Sequence, residues 1–283
     1  MHLAVLLWGA TGVLGRGINL NEALLVWYRL IIVSVSLFIY IKFTNGKLLV
    51  TKKQLLRLSI VGILLMLHWV CFYGGIKYSN VSVTLSLLSA TSLFTALLEP
   101  VIERKKINRN ELLLSIIAML GIAIIFYSDE NTYGTGMILA LMAAFLGAFF
   151  NILNKKVVKE LQSSVVSFYE IFIGMLLLTA FLPFYVNYFQ VEKLLPDTTD
   201  WLLLTILAIV CTHVTMILSL NALKHLSAFT VTLSINLEPV YGILLAFLIF
   251  GENQNLNEGF FTGTFVIMLS VLLHSYFSKQ TKA

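Results

Sequence analysis

The residue with the clearest chemical potential is Glu238, a carboxyl inside an apolar run long enough to cross a bilayer. A charge at the bilayer centre costs about 2.5–3.5 kcal/mol on insertion scales, so such an acid must face a cavity or a partner. Burial disfavours the charged form of a carboxyl, a property that suits a proton carrier. Pro239 beside it removes a backbone donor and can kink the helix, which makes it the expected hinge. The competing reading is structural: Glu238 is hydrogen-bonded to a neighbouring helix. Arg29 is the second candidate. Its guanidinium can hold a carboxylate through two parallel hydrogen bonds, or it can snorkel to water or pair with Glu22.

Other polar groups in apolar runs are weaker candidates. Glu170 stands in Phe168-Tyr169-Glu170, matching Trp27-Tyr28-Arg29, and can pair with Lys155 or Lys156 or touch a substrate. Glu99, close to Arg104-Lys105-Lys106, reads as an interfacial ion pair. His68 and His213 can titrate near neutral pH, although a lone membrane histidine is more often a helix contact. Ser89 and Asn236 belong to a polar cluster along residues 84–92 and 230–236; Asn236 points to a different helix face from Glu238. Trp8, Trp69, Phe72, Tyr73, Tyr169 and Tyr241 can shape a cavity, or serve as lipid-facing and core bulk. The candidate substrate or proton site is therefore Glu238, Arg29, Tyr28, Asn236, Ser89, His213, Trp8 and Tyr241. Histidines, cysteines and acids show no metal-ligand spacing, and no cofactor is expected. No phosphate-cradling loop is present, which argues against ATP-driven chemistry by this chain alone.

The elements that must position these residues are spanning helices. Residues are 59% hydrophobic and 12% charged, and mean hydropathy is +0.91. The apolar runs are continuous rather than alternating, so helices are expected. Ten spans are predicted: 3–19, 23–43, 56–76, 81–102, 111–127, 137–153, 164–188, 201–220, 227–250 and 259–277. The net charge of +5 is unevenly placed. Loops at Lys42–Arg57, Arg104–Arg109 and Lys155–Lys159 fall on one side. Asp129, Glu130, Glu192, Asp197, Asp200, Glu252 and Glu258 fall on the other. The positive-inside bias then puts both termini in the cytoplasm of a multi-pass protein, and nucleic acid is not an expected partner. Cys71 and Cys211 lie inside spans and read as small buried hydrophobes. The first apolar run starts almost at Met1 without a basic leader, so no cleavable signal is read there. Small residues at four-residue spacing, Gly136, Ala140, Ala144 and Ala148, and again Gly259 and Gly263, allow close helix approach; a homodimer contact through the tenth span is one use for it.

Ser79-Asn80-Val81-Ser82-Val83-Thr84-Leu85-Ser86 reappears as Ser227-Ala228-Phe229-Thr230-Val231-Thr232-Leu233-Ser234, with five of eight residues identical. One copy opens the fourth span and the other the ninth. Five spans per half is an odd number, so the halves, 1–130 and 131–283, are expected to run in opposite directions through the membrane. Such inverted repeats place a binding site near the midplane.

With Leu237-Glu238-Pro239 followed by Gly251-Glu252, Trp8-Gly9 and Tyr28-Arg29, the chain resembles the EamA family of the drug/metabolite transporter superfamily. It departs from symmetry where Ser89-Ala90-Thr91 stands opposite Leu237-Glu238-Pro239. The resemblance implies export of amino acids, nucleosides or similar metabolites from a central cavity by alternating access, in a prokaryotic cytoplasmic membrane. Proton coupling at Glu238 is a subsidiary expectation, and an uncoupled facilitator is the alternative. An intramembrane enzyme is disfavoured because no paired carboxylates, Ser/His dyad or metal cluster is found. A sensor lacks the soluble domain it would use.

Overall fold

The computed structural model describes residues 1–106, 109–128, 133–226, 228–235 and 237–280. These residues form an all-α protein, and no strand occurs among them. The elements are α1 (His2–Gly17), α2 (Glu22–Phe43), α3 (Lys52–Tyr78), α4 (Val81–Leu88), α5 (Thr91–Glu103), α6 (Arg109–Ser128), α7 (Gly134–Val157), α8 (Ser163–Tyr188), α9 (Thr198–Ala208), α10 (Thr215–His225), α11 (Ala228–Ile235), α12 (Glu238–Phe250) and α13 (Glu258–Gln280). Side-chain caps fix several starts. Asn21 accepts from the Ala23 amide, and Thr51 with Gln54 and Asp197 with Asp200 form reciprocal capping boxes.

Each predicted span is found, but three are interrupted. The fourth is split into α4 and α5, and the ninth into α11 and α12. At the breaks the hydrogen bonding tightens to the i→i−3 type: the Ala90 amide donates to the Leu87 carbonyl (3.0 Å) and the Leu237 amide to the Ser234 carbonyl (3.3 Å). The eighth span is interrupted between α9 and α10 by a π-helical segment, Ile209–Val214. Pro239 is the second residue of α12, where its missing N–H would have had no intrahelical partner.

Among the described residues, six helical stretches are long and apolar enough to cross a bilayer: Glu22–Phe43, Lys52–Tyr78, Val81–Glu103, Gly134–Val157, Ser163–Tyr188 and Thr198–His225. Their outward faces carry exposed large apolar residues such as Leu56, Phe181, Phe184 and Leu202. Apolar surface on that scale requires lipid around it.

An extensive interface joins α3 to α7, and the small residues Gly136, Ala140, Ala144 and Ala148 of α7 are all buried within the chain. The Gly259–Gly263 face of α13 is likewise used within the chain, against α6. A Cβ on Gly263 would lie 2.5 Å from the Gly121 carbonyl oxygen, and one on Gly121 would lie 2.7 Å from the Gly263 oxygen. Neither backbone can yield without separating the helices. Gly263→Leu is therefore expected to destabilise the fold by about 1–3 kcal/mol, read as a lower melting temperature in detergent. Gly134→Ala, where an added Cβ meets nothing within 4 Å, should melt as the native protein does.

Candidate functional site

One cavity lies where the interrupted helices meet. Leu88 ends α4, Thr91 begins α5, Ile235 ends α11 and Glu238 begins α12, and all four line it. Its volume is about 90 Å³, room for several water molecules or one small solute. Trp8 and Thr11 come from α1, Arg29 from α2, His68, Trp69 and Phe72 from α3, Asn151 from α7 and Ser219 from α10. Trp8, Trp69, Phe72 and Phe150 stand in the wall among aliphatic groups, with a few convergent polar groups and two of opposite charge.

Arg29 is 3% exposed and does not snorkel. Its Nη1 donates to Tyr73 Oη (2.8 Å) and its Nε donates to Thr212 Oγ1 (2.8 Å). The guanidinium carbon lies 3.8 Å from the Trp69 ring centroid. A cation desolvated over an aromatic face gains about 2 kcal/mol. Glu22, the alternative partner, instead accepts from the Tyr185 hydroxyl. The π-helical segment supplies the Thr212 acceptor. Thr212 Oγ1 donates to the Leu207 carbonyl five residues earlier (2.6 Å), a reach that the wider π turn permits, and presents a lone pair to Arg29.

Glu238 is buried on the opposite half of the chain and faces the same cavity. The two side chains form no ion pair within 4 Å, although each feels the other's charge. The guanidinium therefore keeps donors available, and the carboxyl keeps its oxygens. His68 holds its ring by an Nδ1 contact to the Ala143 carbonyl (2.7 Å). A carbonyl only accepts, so Nδ1 carries the hydrogen and Nε2 is left as an acceptor.

Of the residues singled out from sequence, the structure brings Glu238, Arg29, Trp8, His68, Trp69 and Phe72 together at the cavity. Tyr28 sits elsewhere, donating to the Leu194 carbonyl and packing edge-on against Trp27 and Trp201. His213 is bound to Ser36 Oγ (2.8 Å) and packs against Tyr40. Ser89 lies buried in the break between α4 and α5, and Tyr241 is partly exposed on the outside of α12. Asn236 lies outside the described residues. Glu99 pairs with Lys155 of α7 (2.9 Å) rather than with the loop Arg104-Lys105-Lys106. Lys155 also binds Glu103, so Glu170 gains no lysine. Sequence reasoning did not select Thr11, Asn151 or Ser219 for the cavity. Their signal was a polar residue inside an apolar run, which many packing residues share.

Interrupted membrane helices around a buried, charged cavity are an arrangement found in membrane transporters. Residues 1–127 and again 134–276 match the EamA-like transporter family, and the chain belongs to that family. It is 23% identical over 256 residues to the uncharacterized transporter YxxF of Bacillus subtilis (strain 168), covering 87% of this chain and 79% of that protein. It is 24% identical over 202 residues to an uncharacterized transporter of Archaeoglobus fulgidus, covering 71% and 69%. A crystal structure with 13% identity shares the fold at a TM-score of 0.70, covering 99% of this chain and 96% of that one. Family and relatives point to a membrane transporter rather than an enzyme.

The Arg29 anchor can be tested without a substrate. Tyr73→Phe removes one acceptor from a buried cation and is expected to cost about 1.5–3 kcal/mol. Tyr28→Phe, whose hydroxyl contacts a more exposed carbonyl, should change stability by no more than about 0.5 kcal/mol. Melting temperatures in detergent compare the two.

Proposed function

We propose that the protein exports a small metabolite carrying both charges, an amino acid or close relative, across the cytoplasmic membrane by alternating access. One observation carries the reading. Arg29 of α2 and Glu238 of α12 face a single small cavity without pairing to each other. A guanidinium suits a carboxylate and a carboxylate suits an ammonium, so the cavity matches the two ends of a zwitterion. The apolar surfaces of Trp8, Trp69 and Phe72 beside the charges lower the local dielectric and give these charges weight.

Two further features support alternating access between inverted halves. α5 and α12 have thirteen residues each. α5 and α12 both end on a left-handed residue, Arg104 at φ 55° and Gly251 at φ 62°. Each half also contributes to an ion-pair lock. Arg16 of α1 binds Glu252 (3.0 Å), which in turn accepts from the Val81 and Ser82 amides at the start of α4. Lys155 of α7 binds Glu99 and Glu103 of α5. The locks join α1 to the end of α12 and α7 to the end of α5, as gates on opposite faces would. Loop charges favour both termini in the cytoplasm.

Counterflow in proteoliposomes tests the reading. Vesicles loaded with unlabelled amino acids should take up external labelled amino acid above protein-free controls; no uptake of any amino acid overturns it. Arg29→Lys keeps the charge but loses the planar fork, and should raise the KM for counterflow at least tenfold.

Proton exchange at Glu238 is the coupling we assign to this cycle. A transport-competent Glu238→Gln variant should lose dependence on a pH gradient, and unchanged coupling would remove the role. The nearness of the Arg29 charge to Glu238 favours one second reading, a facilitator in which the carboxylate stays ionised throughout and no proton moves.

A further inference from the structure

Outside the cavity, a second acid is buried under unusual conditions. Glu170 of α8 is 0% exposed, and neither carboxyl oxygen has a hydrogen-bond partner. Beside it, both polar atoms of the Asn154 amide are buried and unpaired, and the Ser167 hydroxyl on the turn before is in the same state. Most buried polar side-chain atoms in folded proteins are paired, so three such neighbours require an explanation.

No cation supplies it. The charges of the helices packed on α8 are directed elsewhere: Arg29 of α2 to Tyr73 and Thr212, Arg57 of α3 to Glu160, and Lys155 of α7 to Glu99 and Glu103. Glu22 of α2 meets Tyr185, Lys42 of α2 meets Phe38, and His68 of α3 meets the Ala143 carbonyl. Lys77 of α3 donates to the Ile18 carbonyl. Lys52 and Lys53 of α3, Lys156 of α7, and Lys224 and His225 of α10 make no ion pair with the Glu170 carboxyl, which lies beside the Asn154 amide. The backbones pack closely here: a Cβ on Gly62 of α3 would lie 2.4 Å from the Glu170 carbonyl oxygen, so α3 and α8 touch at this level. A buried carboxyl that faces a neutral amide and no cation is costly to ionise and suits a bound proton.

Its place in the chain says when that proton could leave. Glu170 is the eighth residue of α8, and Arg29 is the eighth residue of α2, the corresponding helix of the other half. Arg29 now opens on the cavity. Exchange of conformation between the halves, as the alternating-access reading above requires, would bring Glu170 to the cavity-facing place and expose it to water on the opposite side.

We propose that Glu170, with Asn154 and Ser167, is a proton-binding site separate from Glu238, closed in this conformation and opened in the opposite-facing one. There the O–H bond breaks, the proton passes to water, and the carboxylate takes one back before the site closes.

The test joins a spectroscopic and a transport measurement. Infrared spectra of the lipid-reconstituted protein at pH 8 should contain a protonated-carboxyl C=O band that shifts in deuterated water. The band should be absent in Glu170→Gln and present in Glu238→Gln. In proteoliposomes, Glu170→Gln should retain at least half of native counterflow of labelled amino acid, which moves no net protons, and lose at least fivefold in accumulation driven by a pH gradient. Identical infrared spectra for native and Glu170→Gln protein overturn the site, and full gradient-driven accumulation overturns its role in coupling. Should native protein transport no amino acid, the spectra still decide the site while the substrate reading fails by itself. A Glu170→Gln melting temperature equal to the native one further supports a neutral acid, and a large loss would indicate an anion with a partner.

Discussion

The structure depends on how one permanent charge is accommodated inside a lipid-surrounded helix bundle. Arg29 can be neither neutralised nor left alone there. Its solution draws on three elements at once: the Trp69 face and the Tyr73 hydroxyl from α3, and the Thr212 hydroxyl from the π-helical segment. Hydrogen bonds to a charged group contribute about 1.5–3 kcal/mol each, so two bonds and a cation–π contact offset a penalty of the size that insertion scales assign. Both hydroxyls must be set to accept, and this fixes the rotation of α3 and of the α9–α10 rod about α2. The position of the cavity wall follows.

The interruptions in the helices serve the same end. An unbroken helix has no free backbone groups to offer at the midplane and bends little. The i→i−3 turns at Ala90 and Leu237 and the π turn at 209–214 are the places where the regular ladder is given up. They flank the cavity together with Glu238, which occupies the first turn of α12, where unpaired N–H groups favour negative charge. Locally weaker hydrogen bonding and the two buried ionisable groups are therefore concentrated in one layer. Elsewhere the bundle is tied by glycine and alanine contacts that leave little freedom, as between α6 and α13.

Much of this was legible in the residues. Hydropathy runs gave ten spans whose ends agree with the helices to within a few residues, because the bilayer forces backbone pairing within each segment. Glu238 and Arg29 stood out because charge in an apolar run is costly. Pro239 marked the ninth span for a kink, but the break between α4 and α5 was not legible. Ser89 and Ala90 differ little in hydropathy or helix propensity from their neighbours, and only the crossing of half-helices α4 with α12 and α5 with α11 reveals why a turn tightens there. Cavity membership was equally hidden. His68 and His213 look alike in sequence, yet His68 lines the cavity and His213 faces Ser36 and Tyr40. Which face of a helix turns inward depends on its neighbours, not on its own composition.

The central claim is that Arg29 and Glu238 recognise the two charges of one small solute. The most direct measurement is competition in counterflow among a neutral amino acid, its carboxyl-amidated form and its N-acetylated form. The account predicts that the unmodified amino acid competes fully. Each derivative should be at least tenfold weaker, the amide because it leaves Arg29 without an anion and the acetylated form because it leaves Glu238 without a cation. Equal competition by all three would contradict it.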